Sequence, residues 1–171
     1  MTEAQTFAIF DAVRASLTGE RTFPEIVASL AAVGVERYHV DYARHEKTFY
    51  LGDSDSLVVS SPWASHPTAD AFSAPAVEAA VRQSQRGEHT YKEFLRKTMA
   101  VGCVGYFVQI RGRRALYFGR DGEVHVEHPR GHRSSGGTVR RHDRTLPRRQ
   151  VREQLLERLP HPCQDVTHRL A

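Results

Sequence analysis

Within VERYHVDY (residues 35–42), His39 and Asp41 stand two positions apart with Arg37 beside them, and Lys47 follows in KTFY (47–50). On an extended strand, residues two apart share a face, so imidazole, carboxylate and guanidinium would lie side by side. A carboxylate next to an imidazole fixes its tautomer and raises its basicity, which is what a general base requires. The competing reading is a solvated sheet face on which Asp41 pairs with Arg37 or Lys47. Cys103 follows Gly102 at the start of an apolar strand, the context of a small core thiol rather than a nucleophile. His128, His132, His161, Cys163 and His168 match no regular finger spacing, so no metal site is predicted. The chain contains no Gly-rich phosphate loop, no GxSxG and no HExxH, and GRDG (119–122) is too short for a dinucleotide fingerprint. No cofactor is therefore expected.

The elements that must position these residues come as a repeat. Offset by 68 residues, AIFDAVRASLTGERTFPEIVASLAAVGVERYHVDY lies without a gap over AVEAAVRQSQRGEHTYKEFLRKTMAVGCVGYFVQI. Val13/Val81, Arg14/Arg82, Thr22/Thr90, Glu25/Glu93, Gly34/Gly102 and Tyr38/Tyr106 are among the identical pairs. Shared helix and strand patterning explains the composition of each half but not one common spacing. Each copy, 4–60 and 72–128, reads as helix, helix and three short strands, joined by SPWASHPTADAF (61–72). Phe7, Ile9, Phe10, Val13 and Leu17 recur at helical spacing with Gly19 closing the helix. Thr22 with Glu25, and Thr90 with Glu93, are capping boxes that open the second helix of each copy, and Gly34 and Gly102 end those helices. Period-two runs then follow at 35–43, 46–51 and 57–60, and again at 103–110, 114–118 and 123–127. Trp63, in the connector, reads as an anchor to the core or as the cap of a pocket between the copies.

These elements predict an α+β domain over 1–128: an antiparallel sheet with helices on one face. Equating the copies puts Tyr38, Val40, Tyr42, Thr48 and Tyr50 under the helices with Tyr106, Val108, Ile110, Leu116 and Phe118. The opposite face then receives Arg37, His39, Asp41, Lys47 and Phe49, together with Phe107, Gln109, Tyr117, His125 and Glu127. This polar and aromatic surface stays open unless a partner or the tail covers it. Arg37, His39, Asp41, Lys47, Phe49, Gln109, Tyr117 and His125 are the predicted ligand-binding residues, and His39 and Asp41 the candidate catalytic ones.

Charge divides the chain differently. Of its 171 residues, 1–128 hold 14 basic and 16 acidic ones, whereas 129–171 hold 10 Arg, no Lys and 4 acids. With its Gly-Ser cluster, four prolines and little periodicity outside 151–159, the C-terminal stretch reads as a mostly disordered basic tail. Arginines contact phosphates, so tail-mediated nucleic-acid binding is one alternative, although no aromatic residues interleave with them. The first residues carry acids and lack a long apolar core, and no run reaches the roughly 18 apolar residues of a membrane span. Two widely separated cysteines suit reduced thiols. A cytoplasmic protein that does not contact membranes is the expectation.

The segments VERYHVDY, KTFY and GYFVQIRGRRALYFGRDGE (105–123), with the TFPEIVASLAAVG helix, resemble the YbcV/YdfO-like family of small bacterial and prophage proteins. Some of its members are labelled phage envelope proteins, and none has an assigned function. The resemblance implies an α+β fold over about residues 4–128 and carries over no catalytic residue. The functional expectation is a binding or interaction module whose open sheet face takes a small polar ligand or a protein segment, a homodimer included. A small hydrolase- or isomerase-like enzyme using His39 and Asp41 is the alternative.

Overall fold

The computed structural model describes residues 1–52 and 55–128; the predicted basic tail, with His132, His161, Cys163 and His168, lies outside the described residues. Helices α1 (Glu3–Thr18) and α2 (Phe23–Ala32) precede strands β1 (Val35–Asp41), β2 (Glu46–Leu51) and β3 (Ser56–Ser60). Helices α3 (Ala74–Gln85) and α4 (Tyr91–Met99) then precede β4 (Gly105–Gln109), β5 (Arg114–Phe118) and β6 (Val124–Glu127). The caps form as the sequence predicts: the Glu25 carboxylate accepts from the Thr22 N–H at 2.8 Å, and the Glu93 carboxylate does the same for Thr90 at 2.8 Å. Among the described residues no helix is long and apolar enough to cross a membrane.

The six strands form one antiparallel sheet in the order β3-β2-β1-β4-β5-β6. The two triplets join through β1 and β4, and the ladder obeys the repeat. His39 pairs with Phe107, its own counterpart 68 residues on, and Arg37 with Gln109 while Asp41 pairs with Gly105. A pseudo-twofold axis therefore passes through the sheet between His39 and Phe107. Even the strained turn residues correspond, His45 (φ 54°) and Arg113 (φ 48°) ending the two equivalent hairpins. The fold is α+β, with the apolar faces of all four helices on one side of the sheet.

The face assignment holds for β1 and β4 and inverts for β2, β5 and β6. Tyr38, Val40, Tyr106 and Val108 are buried as expected. Tyr38, however, pairs directly with Phe49, and Val40 with Lys47, so these share the helix side, leaving Thr48 and Tyr50 on the other. Tyr106 pairs with Tyr117 in the same way, and Tyr117 with His125. Lys47, Phe49, Tyr117 and His125 are thus turned under the helices, and Thr48, Tyr50, Leu116 and Phe118 away from them. Matching one copy to the other cannot detect this error, because a one-residue slip in both hairpins preserves every match. On α1 the buried side is Ile9, Ala12, Val13 and Ala15, while Phe7 is 74% exposed and Phe10 also points outward.

Candidate functional site

The sheet's helix-free face is organised by cross-strand register, the spacing at which neighbouring side chains touch. Across its middle runs one row contributed by all six strands: Val58, Thr48, His39, Phe107, Leu116 and Val126. Val58 is 53% and Val126 41% exposed at its two ends. At the centre the His39 ring stacks on Phe107 with centroids 4.4 Å apart and on Phe118 at 5.7 Å. Gly105 borders that stack: a Cβ there would stand 2.6 Å from the Val40 carbonyl oxygen, 3.1 Å from Phe118 and 3.4 Å from His39 Nε2. Burial against these rings lowers the His39 pKa, with the Asp41 charge opposing the shift.

Charged residues flank this row on both sides, and several already have partners: Arg37 lies 3.9 Å from the Glu36 carboxylate, and Arg44 donates to Glu46 at 2.7 Å. On one side stand Tyr50, Arg37, Gln109 and Arg114, with the Arg37 guanidinium 4.4 Å above the Tyr50 ring. On the other stand Glu46, Asp41, Gly105, Phe118 and Val124. Past the acidic side, where the connector folds back, a solvent-open recess of about 650 Å³ is lined by His39, Asp41, His45, Ser65, His66 and Arg120 among others. Trp63 anchors the connector beside it, buried edge-on against Tyr42 and stacked with His45 at 5.0 Å.

Of the eight predicted binding residues, Arg37, His39, Asp41 and Gln109 are on this face; Lys47, Phe49, Tyr117 and His125 are beneath the helices. His39 and Asp41 do share a face, yet no hydrogen bond joins them. Asp41 Oδ1 instead accepts the N–H groups of Ala43 and Arg44, both at 3.0 Å, which closes the β1–β2 turn. The carboxylate is occupied with backbone, so the general-base arrangement has no contact to carry it. Cys103 is a fully buried thiol donating to the Gly105 carbonyl, its pKa raised by burial, as a core cysteine would be.

Lys47 is the largest departure from the sequence reading. Only 4% exposed, it donates to Ser16 Oγ at 2.7 Å and lies 4.4 Å over the Tyr91 ring, with no carboxylate of the described residues in contact. Burial pulls its pKa down to about 7. Thr48, Leu116, Phe118, Val58 and Val126 were missed as members of the open face. The pairing of Tyr38 with Phe49 was the signal that would have found them, since one correct hairpin register assigns every residue of the strand. Among the described residues no three His, Cys, Asp or Glu side chains converge as a metal site needs.

Residues 9–128 match the family model described as "Protein of unknown function (DUF1398)". No curated protein matches the chain.

Proposed function

Because the chain belongs to the DUF1398 family, whose description assigns no chemistry, we propose a function from the geometry of the open face: a protein-interaction module. The observation that carries this is the Val58–Thr48–His39–Phe107–Leu116–Val126 row, apolar at most positions and unbroken across six strands. A sheet face exposed to water is ordinarily polar, and a contiguous apolar band rimmed by charge marks a contact surface. The band is too flat and too apolar to favour a small polar ligand over a protein segment. Within the family we group the chain with the YbcV/YdfO-like prophage proteins, on the VERYHVDY and GYFVQIRGRRALYFGRDGE segments. We place it in the cytoplasm, consistent with the unpaired thiol of Cys103.

The test is site-specific photo-cross-linking in cells producing the full chain, with the reactive residue at position 126, 116 or, as an equally apolar control, 7. Defined adducts from 126 and 116 but not from 7 are expected. Adducts from 7 alone would move the interaction surface to α1 and end this reading.

A further inference from the structure

Among the described residues the sheet ends in two strands without an outer neighbour, β3 and β6, and they are not alike. In an antiparallel ladder hydrogen-bonded pairs recur at every second residue, so alternate residues of an edge strand turn their N–H and C=O groups outward. Next to β3, Asp55 C=O accepts from Leu51 N–H at 2.9 Å and Ser61 N–H donates to His45 C=O at 2.8 Å, both in the β2–β3 register. Odd-numbered residues therefore bond to β2, and Ser56, Val58 and Ser60 present their backbone groups to the edge. All three residues are exposed, and among the described residues no hydrogen bond outside the strand ladder reaches those groups. Such an edge accepts another strand unless charge, proline or a bulge blocks it, and β3, Ser-Leu-Val-Val-Ser, has none of these.

The sequence of β3 also reads nearly the same in both directions, as pairing with an identical antiparallel strand requires. We propose that β3 pairs with β3 of a second copy of this chain about a twofold axis at Val58, so that the two molecules share one continuous sheet. Only registers that set even residues against even residues join the outward groups. The one centred on Val58 engages all three: Val58 faces the partner's Val58, and Ser56 the partner's Ser60. Moving the centre to Leu57 or Val59 leaves Ser60 or Ser56 without a strand residue opposite. The side chains agree with the backbone. Val58, 53% exposed, covers its mate on the helix-free face with serine beside serine, and on the other face Leu57 meets the partner's Val59. The joint repeats at the outer edge the operation found inside the molecule, where β1 and its equivalent β4 meet antiparallel at His39 and Phe107.

β6 lacks these properties. Gly119 N–H donates to Glu123 C=O at 3.0 Å in the β5–β6 register, so only Val124 and Val126 face outward. Pairing β6 with itself about His125, the register that engages both, sets Glu123 against the partner's Glu127. Pairing β6 with β3 engages two outward residues on one side instead of three and, being head-to-tail, does not close. The proposed contact uses the sheet's edge and not the face that carries the proposed function, so either can hold without the other. With five residues a side it is far smaller than a standard interface, and the dimer dissociates at roughly tens to hundreds of micromolar.

Amide exchange followed by NMR on the full chain at about 10 μM and about 1 mM, on either side of that affinity, tests the proposal. Raising the concentration should slow exchange at Ser56, Val58 and Ser60 and leave Leu57 and Val59, already bonded to β2, unchanged. Sedimentation equilibrium should give the matching monomer–dimer equilibrium. Val58→Lys and Val58→Glu should each weaken it at least about tenfold by setting like charges opposite each other at the axis, and an equimolar mixture of the two variants should associate again. A folding defect would not be repaired by mixing, and circular dichroism verifies that each variant is folded. Val126→Lys, at the other edge, should associate as the unaltered chain does. A monomer at every concentration overturns the proposal. So does a dimer that survives Val58→Lys, or one in which the Val58 amide exchanges no more slowly than in the monomer.

Discussion

The first repeat keeps polar groups where the second is apolar or empty: Lys47 against Ala115, His39 against Phe107, Arg37 against Gly105, Tyr42 against Ile110. In the core these differences come in pairs that cross between repeats. The Tyr42 hydroxyl hydrogen-bonds Thr98 at 2.9 Å, while their counterparts, Ile110 and Leu30, are both hydrocarbon. Lys47 reaches Tyr91, while its counterpart Ala115 leaves Phe23, the equivalent of Tyr91, more than half exposed. A buried polar side chain is tolerable only with a partner, so a duplicated fold departs from symmetry by changing both ends of a contact together.

Removing the buried amine should have the largest effect on this comparison. Lys47→Met, which makes the first repeat as apolar as Ala115 makes the second, should stabilise the protein on the order of 2–4 kcal/mol at pH 7. The amine titrates near 7 when folded and at 10.5 when free, so the unfolded chain holds a proton that the folded one releases. Stability should therefore rise with pH above about 7. The rise is clean to about 9, where the Cys103 thiol, and then the buried tyrosines, held above their ordinary pKa values, begin to reverse it. Urea denaturation of both proteins at pH 7 and 9 checks this. An equal slope in the variant would mean that Lys47 is not the titrating group.

The glycines that end α2 and α4 offer a smaller contrast. Both adopt φ 85°, yet a Cβ at Gly34 would meet nothing nearer than 4.0 Å, whereas at Gly102 it would stand 2.3 Å from the Ala71 carbonyl oxygen. Gly34→Ala should cost about 1–2 kcal/mol for the left-handed backbone alone. Gly102→Ala should cost at least about twice as much, because the connector must move as well. Equal losses in thermal denaturation would show that the connector yields freely and that only backbone strain counts.

What the sequence made legible follows the same division between local and cross-strand information. Capping boxes, terminal glycines and the period-two runs are local, and the helices, strands and repeat offset all read correctly from them. The inward positions of β1 followed because Tyr38, Val40 and Tyr42 alternate with charged residues. β2 reads Lys-Thr-Phe-Tyr, where neither alternation is cleanly apolar, and β5 reads Ala-Leu-Tyr-Phe, where both are. Only pairing with the neighbouring strand decides such segments. Half of the candidate site was misplaced for that reason, and the band across the sheet, which no single strand contains, could not be seen at all.

The smallest expected effect is at the pseudo-twofold axis itself, where His39→Phe copies the second repeat's residue into the first. The ring stays on the open face and keeps its stacking on Phe107 and Phe118, so stability at pH 7 should change by less than about 1 kcal/mol. Its signature lies at lower pH. The folded imidazole binds a proton less readily than the free side chain at its ordinary 6.5, so the unfolded chain protonates first and stability falls as pH drops below that value. In the variant only the part due to His89 should remain, since its imidazole is likewise lowered, by burial and then by Lys97. Urea denaturation at about pH 7 and 5.5 measures the difference. Identical losses in the two proteins would mean that His39 is as well solvated as a free histidine, and the close aromatic stack that sets it apart from its surroundings would have to be abandoned.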